Sequence, residues 1–311
     1  MSEGNGSLPE RIEIIEVGPR DGLQNEQVSV PTAVKVELIE RLAAAGLSTV
    51  EATSFVSPKA VPQLADAAEV MEALTRRDGV RYPVLTPNLR GYEAARAAGA
   101  DSVAVFAAAS ETFSQRNINA SIAESIERFR PLVERAADDG VHVRGYVSTA
   151  WGCSFEGEIA PEAVADVVAR LADLGIVDMS IGDTIGVAVP GEIEPVIAPL
   201  LDFDSDVRIA LHLHDTRGMG IANALEGLLL GVTTFDTSVA GLGGCPFAPG
   251  ATGNLATEDL VWFAHRHGIE TGIDLEVLVE TAQWISSTID RPISGHIAKS
   301  RLWPWDSGDD A

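Results

Sequence analysis

IEIIEVGPRDGLQNE (residues 12–26) decides between two ways of building an α/β protein. Its first half, IEIIEV, is a short run rich in β-branched residues, the composition of a strand buried on both faces of a parallel sheet. Its second half is the loop that follows. An open doubly wound sheet carries a glycine-rich phosphate loop at this point, and GPRDGLQNE has neither dinucleotide-binding nor P-loop spacing. Similar apolar runs recur at 48–52, 82–86, 101–106, 141–148, 177–181, 207–214 and 233–239. Between them lie helical patterns such as TAVKVELIERLAAAG, SIAESIERFRPLVERAADDG and PEAVADVVARLADLG, several ending in Gly just before the next strand. Eight strand–helix units over about 250 residues fit an α/β fold of the closed (β/α)8 TIM-barrel type. The barrel is expected over residues 11–290, after a flexible N-terminus (1–10). It carries an added C-terminal helical segment, IDLEVLVETAQWISSTID, and a tail from 291 to 311.

Composition narrows the function. The 311 residues are 46% hydrophobic and carry a formal charge of −24, from 22 basic and 46 acidic side chains. Binding nucleic acid requires basic surface to neutralise phosphates, so no nucleic-acid partner is expected. An anionic ligand would be repelled by the protein as a whole and must find local arginines. No apolar run reaches the roughly 18–20 residues that span a bilayer, and no membrane association is expected. The N-terminus lacks the basic-then-apolar pattern of a signal peptide. Two cysteines, Cys153 and Cys245, are too few for a disulfide framework and fit a reducing compartment. The expected location is cytoplasmic.

In such a barrel the active site lies at the C-terminal ends of the strands. Reactive side chains gather there along this chain. Arg20 and Asp21 follow the first strand, and Glu51 ends the second, with Thr53 and Ser54 after it. Arg144, Tyr146 and Ser148 lie on the fifth, Asp183 follows the sixth, and His212 and His214 end the seventh. A glycine-rich loop, GLGGCPFAPGATGN, follows the eighth and contains Cys245 and Asn254. The turns at the other end, such as AAGLS and AAGAD, are ordinary linkers. Side chains two apart on a strand face the same way, so His212 and His214 can both point into the barrel mouth, as a metal edge or as structural hydrogen bonders. Each residue also has a plainer role open to it. Asp21 beside Arg20 reads equally as a salt-bridged turn, Asn254 as a helix N-cap, and Asp183 as a brace for a histidine or arginine.

Taken together, the blocks EVGPRDGLQNE, SFVSPKAVPQ, PVLTPNLRGYEAA, VRGYVS, GDTIGV, HLHDTRG and GLGGCPFAPGATGNLATEDLV resemble the 3-hydroxy-3-methylglutaryl-CoA lyase family, within the metal-dependent aldolase and Claisen-type barrels. The resemblance runs over about residues 11–290. It implies a divalent metal, Mg²⁺ or Mn²⁺, held by Asp21, His212, His214 and Asn254. It also implies catalytic roles for Arg20, Asp21, Glu51, Asp183, His212 and Cys245, and substrate contacts from Arg20, Gln24, Ser54, Arg144 and Tyr146. The implied reaction is cleavage of an acyl-CoA substrate, (S)-3-hydroxy-3-methylglutaryl-CoA, to acetyl-CoA and acetoacetate, with leucine degradation as the setting and a homodimer as the assembly. Arg217–Met219 and Ala52 depart from the animal members, and no cysteine follows Cys245. Two alternatives remain: a sister lyase acting on another 3-hydroxyacyl-CoA, and a non-catalytic acyl-CoA-binding barrel.

Overall fold

The computed structural model describes residues 7–26, 28–244, 253–300 and 302–303. Eight strand positions form the inner layer. They are β1 (Glu13–Glu16), β2 in two pieces (Thr49–Val50 and Thr53–Ser54), β3 (Val84–Leu85), β4 (Ser102–Ala108), β5 (His142–Ser148), β6 (Asp178–Asp183), β7 (Arg208–Leu213) and β8 (Thr234–Thr237). All pair in parallel. The ladder runs from the first piece of β2 through β1, β8, β7, β6, β5, β4 and β3 to the second piece of β2. Because its two ends are one strand, the sheet is closed. Across the gap Glu51 N–H donates to Glu16 on the β1 side (2.8 Å), and Ala52 N–H donates to Pro83 on the β3 side (2.9 Å). A closed barrel leaves no unpaired strand edge.

Helices α1 (Thr32–Ala44), α2 (Ala67–Ala73), α3 (Leu89–Ala97), α4 (Glu111–Ile118), α5 (Ile122–Asp139), α6 (Pro161–Asp173), α7 (Ile193–Leu201), α8 (Gly220–Leu230), α9 (Thr257–Arg266) and α10 (Leu275–Thr288) cover it. The reason is clearest in α5, which buries Ile126, Phe129, Leu132, Val133 and Ala136 as one helical stripe against the sheet. Ser121 and Glu124 close a capping box at its start, and Gly140, left-handed at φ 65°, ends it. The added segment expected at 273–290 is α10, N-capped by Asp274. Among the described residues, no helix is long and apolar enough to cross a membrane.

Where the sheet is apolar outward it is polar inward. Glu51, Arg144, Ser180, His212 and Asp236 are all buried inside the barrel wall or at its mouth. Buried charges persist only when paired and hydrogen-bonded, so this interior is built around ion pairs.

Candidate active site

Arg20 and Asp21 are presented by one wide turn, Gly18–Gly22, directly after β1. The amides of Arg20, Asp21 and Gly22 all converge on the Val17 carbonyl (3.2, 2.7 and 3.2 Å). This π-type winding turns two adjacent charged side chains toward the barrel axis, and such turns recur at functional sites. Gly22 is required by space: a Cβ there would lie 2.8 Å from Leu242 Cβ and 2.9 Å from Ser238 Oγ.

Arg20 is buried and doubly paired. Its Nε donates to Glu51 Oε2 and its Nη1 to Asp21 Oδ1, both at 2.7 Å. Burial alone would lower its pKa, but Glu51 and Asp21 outweigh that and raise it, so the guanidinium stays charged. Its Cζ sits 5.2 Å from the centre of the Tyr146 ring, and Arg144 approaches the same ring at 5.4 Å.

Asp21, His212 and His214 each bring a donor atom within 4.8 Å of the others, a group that could hold a metal ion. His212 and His214 come from β7 and the residue after it, with ring centres 5.4 Å apart. His214 pairs with Asn254 in an isolated bridge, which brings the segment after β8 alongside. Asn254 Nδ2 donates to Asp21 Oδ2 (2.9 Å) and to the Leu242 carbonyl (3.0 Å). Its buried Oδ1 accepts nothing from the described residues, and His214 Nδ1 is likewise buried without a partner among them. Orphaned buried polar atoms are costly and call for an explanation; a cation accepting their lone pairs is one. Burial and the neighbouring His212 push the His214 pKa down to about 4, which keeps it neutral, the form that ligates.

His212 differs. Its Nδ1 lies 3.3 Å from Asp236 Oδ2, and its Nε2 lies 3.9 Å from Asp21 Oδ2. Burial opposes protonation, but Asp236 and Asp21 raise its pKa overall. Asp236 is fixed in turn by Ser180 Oγ (2.6 Å) and Arg144 Nη1 (2.8 Å). Burial would raise the Asp236 pKa; Arg144 and His212 instead pull it down to about 2. The carboxylate therefore holds the Nδ1–H tautomer and aims Nε2 at Asp21.

These groups border a cavity of about 710 Å³ whose walls include Arg20, Asp21, Gln24, Tyr146, His212 and His214. The wall continues through Arg116 on α4 and Arg128 on α5.

The expected residues are only partly brought together. Arg20, Asp21, Gln24, Tyr146, His212 and His214 converge, with Glu51 and Asn254 immediately behind them. Arg144, expected to meet a substrate carboxylate, is already engaged by Asp236 and Asp178 and does not line the cavity. Asp183, expected to orient a histidine, accepts the backbone amides of Val187 (3.0 Å) and Ala188 (3.1 Å) and shapes the loop after β6. Ser54 is buried beside β3 and does not border the cavity. The N-cap position of α9 is Ala256, so Asn254 is not its cap. Asp215 accepts the Gly220 amide (2.7 Å) and stays out of the cluster. Cys245 lies outside the described residues. Sequence reasoning missed Asp236, whose only signal is an acid inside the strand TTFDTSV, and the cavity arginines 116 and 128.

Fold and site together define a (β/α)8 barrel with a mixed imidazole–oxygen donor set at the C-terminal mouth of its strands, the class of barrels equipped to hold a divalent metal. The match to a family model described as HMGL-like, over residues 11–285, places the chain in that family. It is 50% identical over 295 residues to the mitochondrial hydroxymethylglutaryl-CoA lyase of Homo sapiens, covering 95% of this chain and 91% of that one. A mouse relative 48% identical over 293 residues, covering 94% of this chain and 85% of that one, is a cytoplasmic 3-hydroxy-3-methylglutaryl-CoA lyase. The hydroxymethylglutaryl-CoA lyase of Pseudomonas aeruginosa superposes with a TM-score of 0.90 at 48% identity, covering 94% of this chain and 97% of that one. An HMG-CoA lyase from Acinetobacter baumannii, solved with coenzyme A and 3-methylmalate, gives 0.91 at 38% identity and covers 96% and 97%.

Proposed function

We propose that this chain is a lyase that cleaves (S)-3-hydroxy-3-methylglutaryl-CoA to acetyl-CoA and acetoacetate by retro-Claisen chemistry. One observation carries the reading: in a chain half identical to such lyases, Asp21, His212 and His214 gather beside a buried, charged Arg20, with the Asn254 amide against Asp21. Mg²⁺ or Mn²⁺ fits these two imidazoles and two oxygen donors, and when bound it supplies Lewis-acid polarisation of the substrate's hydroxyl and carbonyl oxygens.

The rest falls to the protein. The C3 hydroxyl loses its proton to Asp21 or His212, the two groups that face each other across 3.9 Å. The C3–O bond becomes a ketone as the C2–C3 pair moves to C2, and charge builds on the thioester oxygen. The Arg20 guanidinium, held by Glu51 and backed by the Tyr146 ring, stabilises that oxygen. Protonation at C2 then completes acetyl-CoA, a step we give to Cys245. In this reading the cavity receives the acyl-CoA, with Arg116 and Arg128 supplying local positive charge against the molecule's overall −24. A cytoplasmic location and a homodimer belong to the same proposal.

The test is acetyl-CoA release measured with and without Mg²⁺. Arg20→Gln and Cys245→Ala should each lower kcat by about 10²–10³-fold, the usual effect of removing a group that acts in the transition state. Metal-independent release, or turnover of a different 3-hydroxyacyl-CoA with none of this one, would overturn the proposal.

A further inference from the structure

The two oxygen donors of the cluster come from opposite ends of the chain, and something must hold their backbones in register. Asp21 belongs to the loop after β1, which runs on to Glu26. Asn254 is steered by Gly243: with φ +122°, a Cβ on Gly243 would fall 2.4 Å from Asn254 Nδ2. Gly243 therefore lies flat against the asparagine amide.

Arg291, three residues beyond α10, joins these two parts. Its Nη1 pairs with Glu26 Oε1, and its Nη2 donates to the Gly243 carbonyl at 2.8 Å. Both side chains are largely withdrawn from water, at 20% and 16% exposure. Asn25 repeats the connection from the other side, donating to the Gly244 carbonyl at 2.9 Å. Arg291 is itself fixed, because its amide donates to the Ser286 carbonyl (3.0 Å) and its carbonyl accepts the Ser286 hydroxyl (2.5 Å). Farther along the same segment, the Ser294 amide donates to the Ala240 carbonyl (3.0 Å), anchoring the start of the glycine-rich stretch. A guanidinium suits this task because its fixed fork serves a carboxylate and a carbonyl at once, which an ammonium does less well.

We infer that Arg291 is a positioning residue: it fastens the Asp21 loop to Gly243, which packs on Asn254, and so sets the spacing of the two oxygen ligands. The inference rests on the metal-site reading above. It predicts that loss of Arg291 lowers affinity for the cation before it touches the fold.

Binding of Mn²⁺ to the full chain, followed by the electron paramagnetic resonance of the free ion, tests this alongside thermal unfolding and kcat and KM. Arg291→Met and Glu26→Gln should each weaken Mn²⁺ binding about 10-fold, the scale for groups that orient ligands. The double variant should be hardly weaker than either alone, because both remove one link. Arg291→Lys should recover part of the affinity. Unchanged Mn²⁺ binding in Arg291→Met, or additive losses in the double variant, would overturn the role. If Mn²⁺ fails to bind the wild type, or binds His212→Gln equally well, the metal site itself is wrong and the inference falls with it. Should Arg291→Met unfold, Glu26→Gln and Arg291→Lys still decide the matter.

Discussion

Asp236 carries as much of the site's geometry as the histidines do. It is buried, it ties Arg144 and Ser180 together, and it fixes the ring of His212. Asp236→Asn should lower cation affinity or kcat by about 10–100-fold with the barrel intact. Asp183→Asn should instead lower the unfolding temperature and leave Mn²⁺ affinity alone, because its partners are backbone amides. A second test concerns Glu258, which accepts the Ala240 amide while its other oxygen has no partner among the described residues. Burial raises its carboxyl from 4.5 to about 8, and raises that of Glu16 to about 7. Folded-state pKa values above the unfolded ones give stability that is complete below pH 4.5 and is lost as pH rises through 7 to 8. The unfolding temperature should therefore fall between pH 5 and 8.5, and the fall should be shallower in Glu258→Gln; an unchanged slope would refute the assignment. At this scale the sequence was legible wherever alternation decides. His212 and His214 had to share a face, and Asp215 had to leave it. Asp236 was hidden because an acid in a strand looks the same whether it braces a histidine or faces water.

Among the elements, the strongly periodic ones were readable. The stripe, capping box and terminal glycine of α5 all appear in its sequence, and Ser121→Ala should cost about 1 kcal/mol, measured by denaturant unfolding. The Gly18–Gly22 turn was not readable as a π-type turn, since its winding depends on packing against Ser238 and Leu242, more than two hundred residues away. Nor was α4, ETFSQRNI, whose short and polar run lacks a periodic apolar face. Its N-cap, Ser110, is visible only once the helix is known. That omission mattered, because α4 brings Arg116 to the cavity.

For the molecule as a whole, barrel closure followed from counting eight units, and the one-sided gathering of reactive residues followed from closure. Which arginines serve an anionic ligand did not follow, because charge composition is a property of the surface and not of a place on it. Arg116, packed on the Phe155 ring at 4.2 Å, sits in the cavity wall of an acidic protein. Arg116→Gln should raise KM for the CoA thioester by roughly 2- to 5-fold, the scale of an exposed charge contact. The same acyl group on a short, uncharged thiol should show no such change in KM, and equal effects on both would reject the assignment.

The donor cluster draws on β1, β7 and the segment after β8, which are neighbours around the barrel although Asp21 and Asn254 stand 233 residues apart in the chain. A chain emerging from the ribosome has Asp21 almost at once, then must wait for nearly everything else before the other donors arrive. Until β8 docks beside β1, no partly made barrel holds the set together. On the proposed metal-site reading, ion capture would become available only to a molecule whose last strand has met its first, and bound metal would report a finished fold.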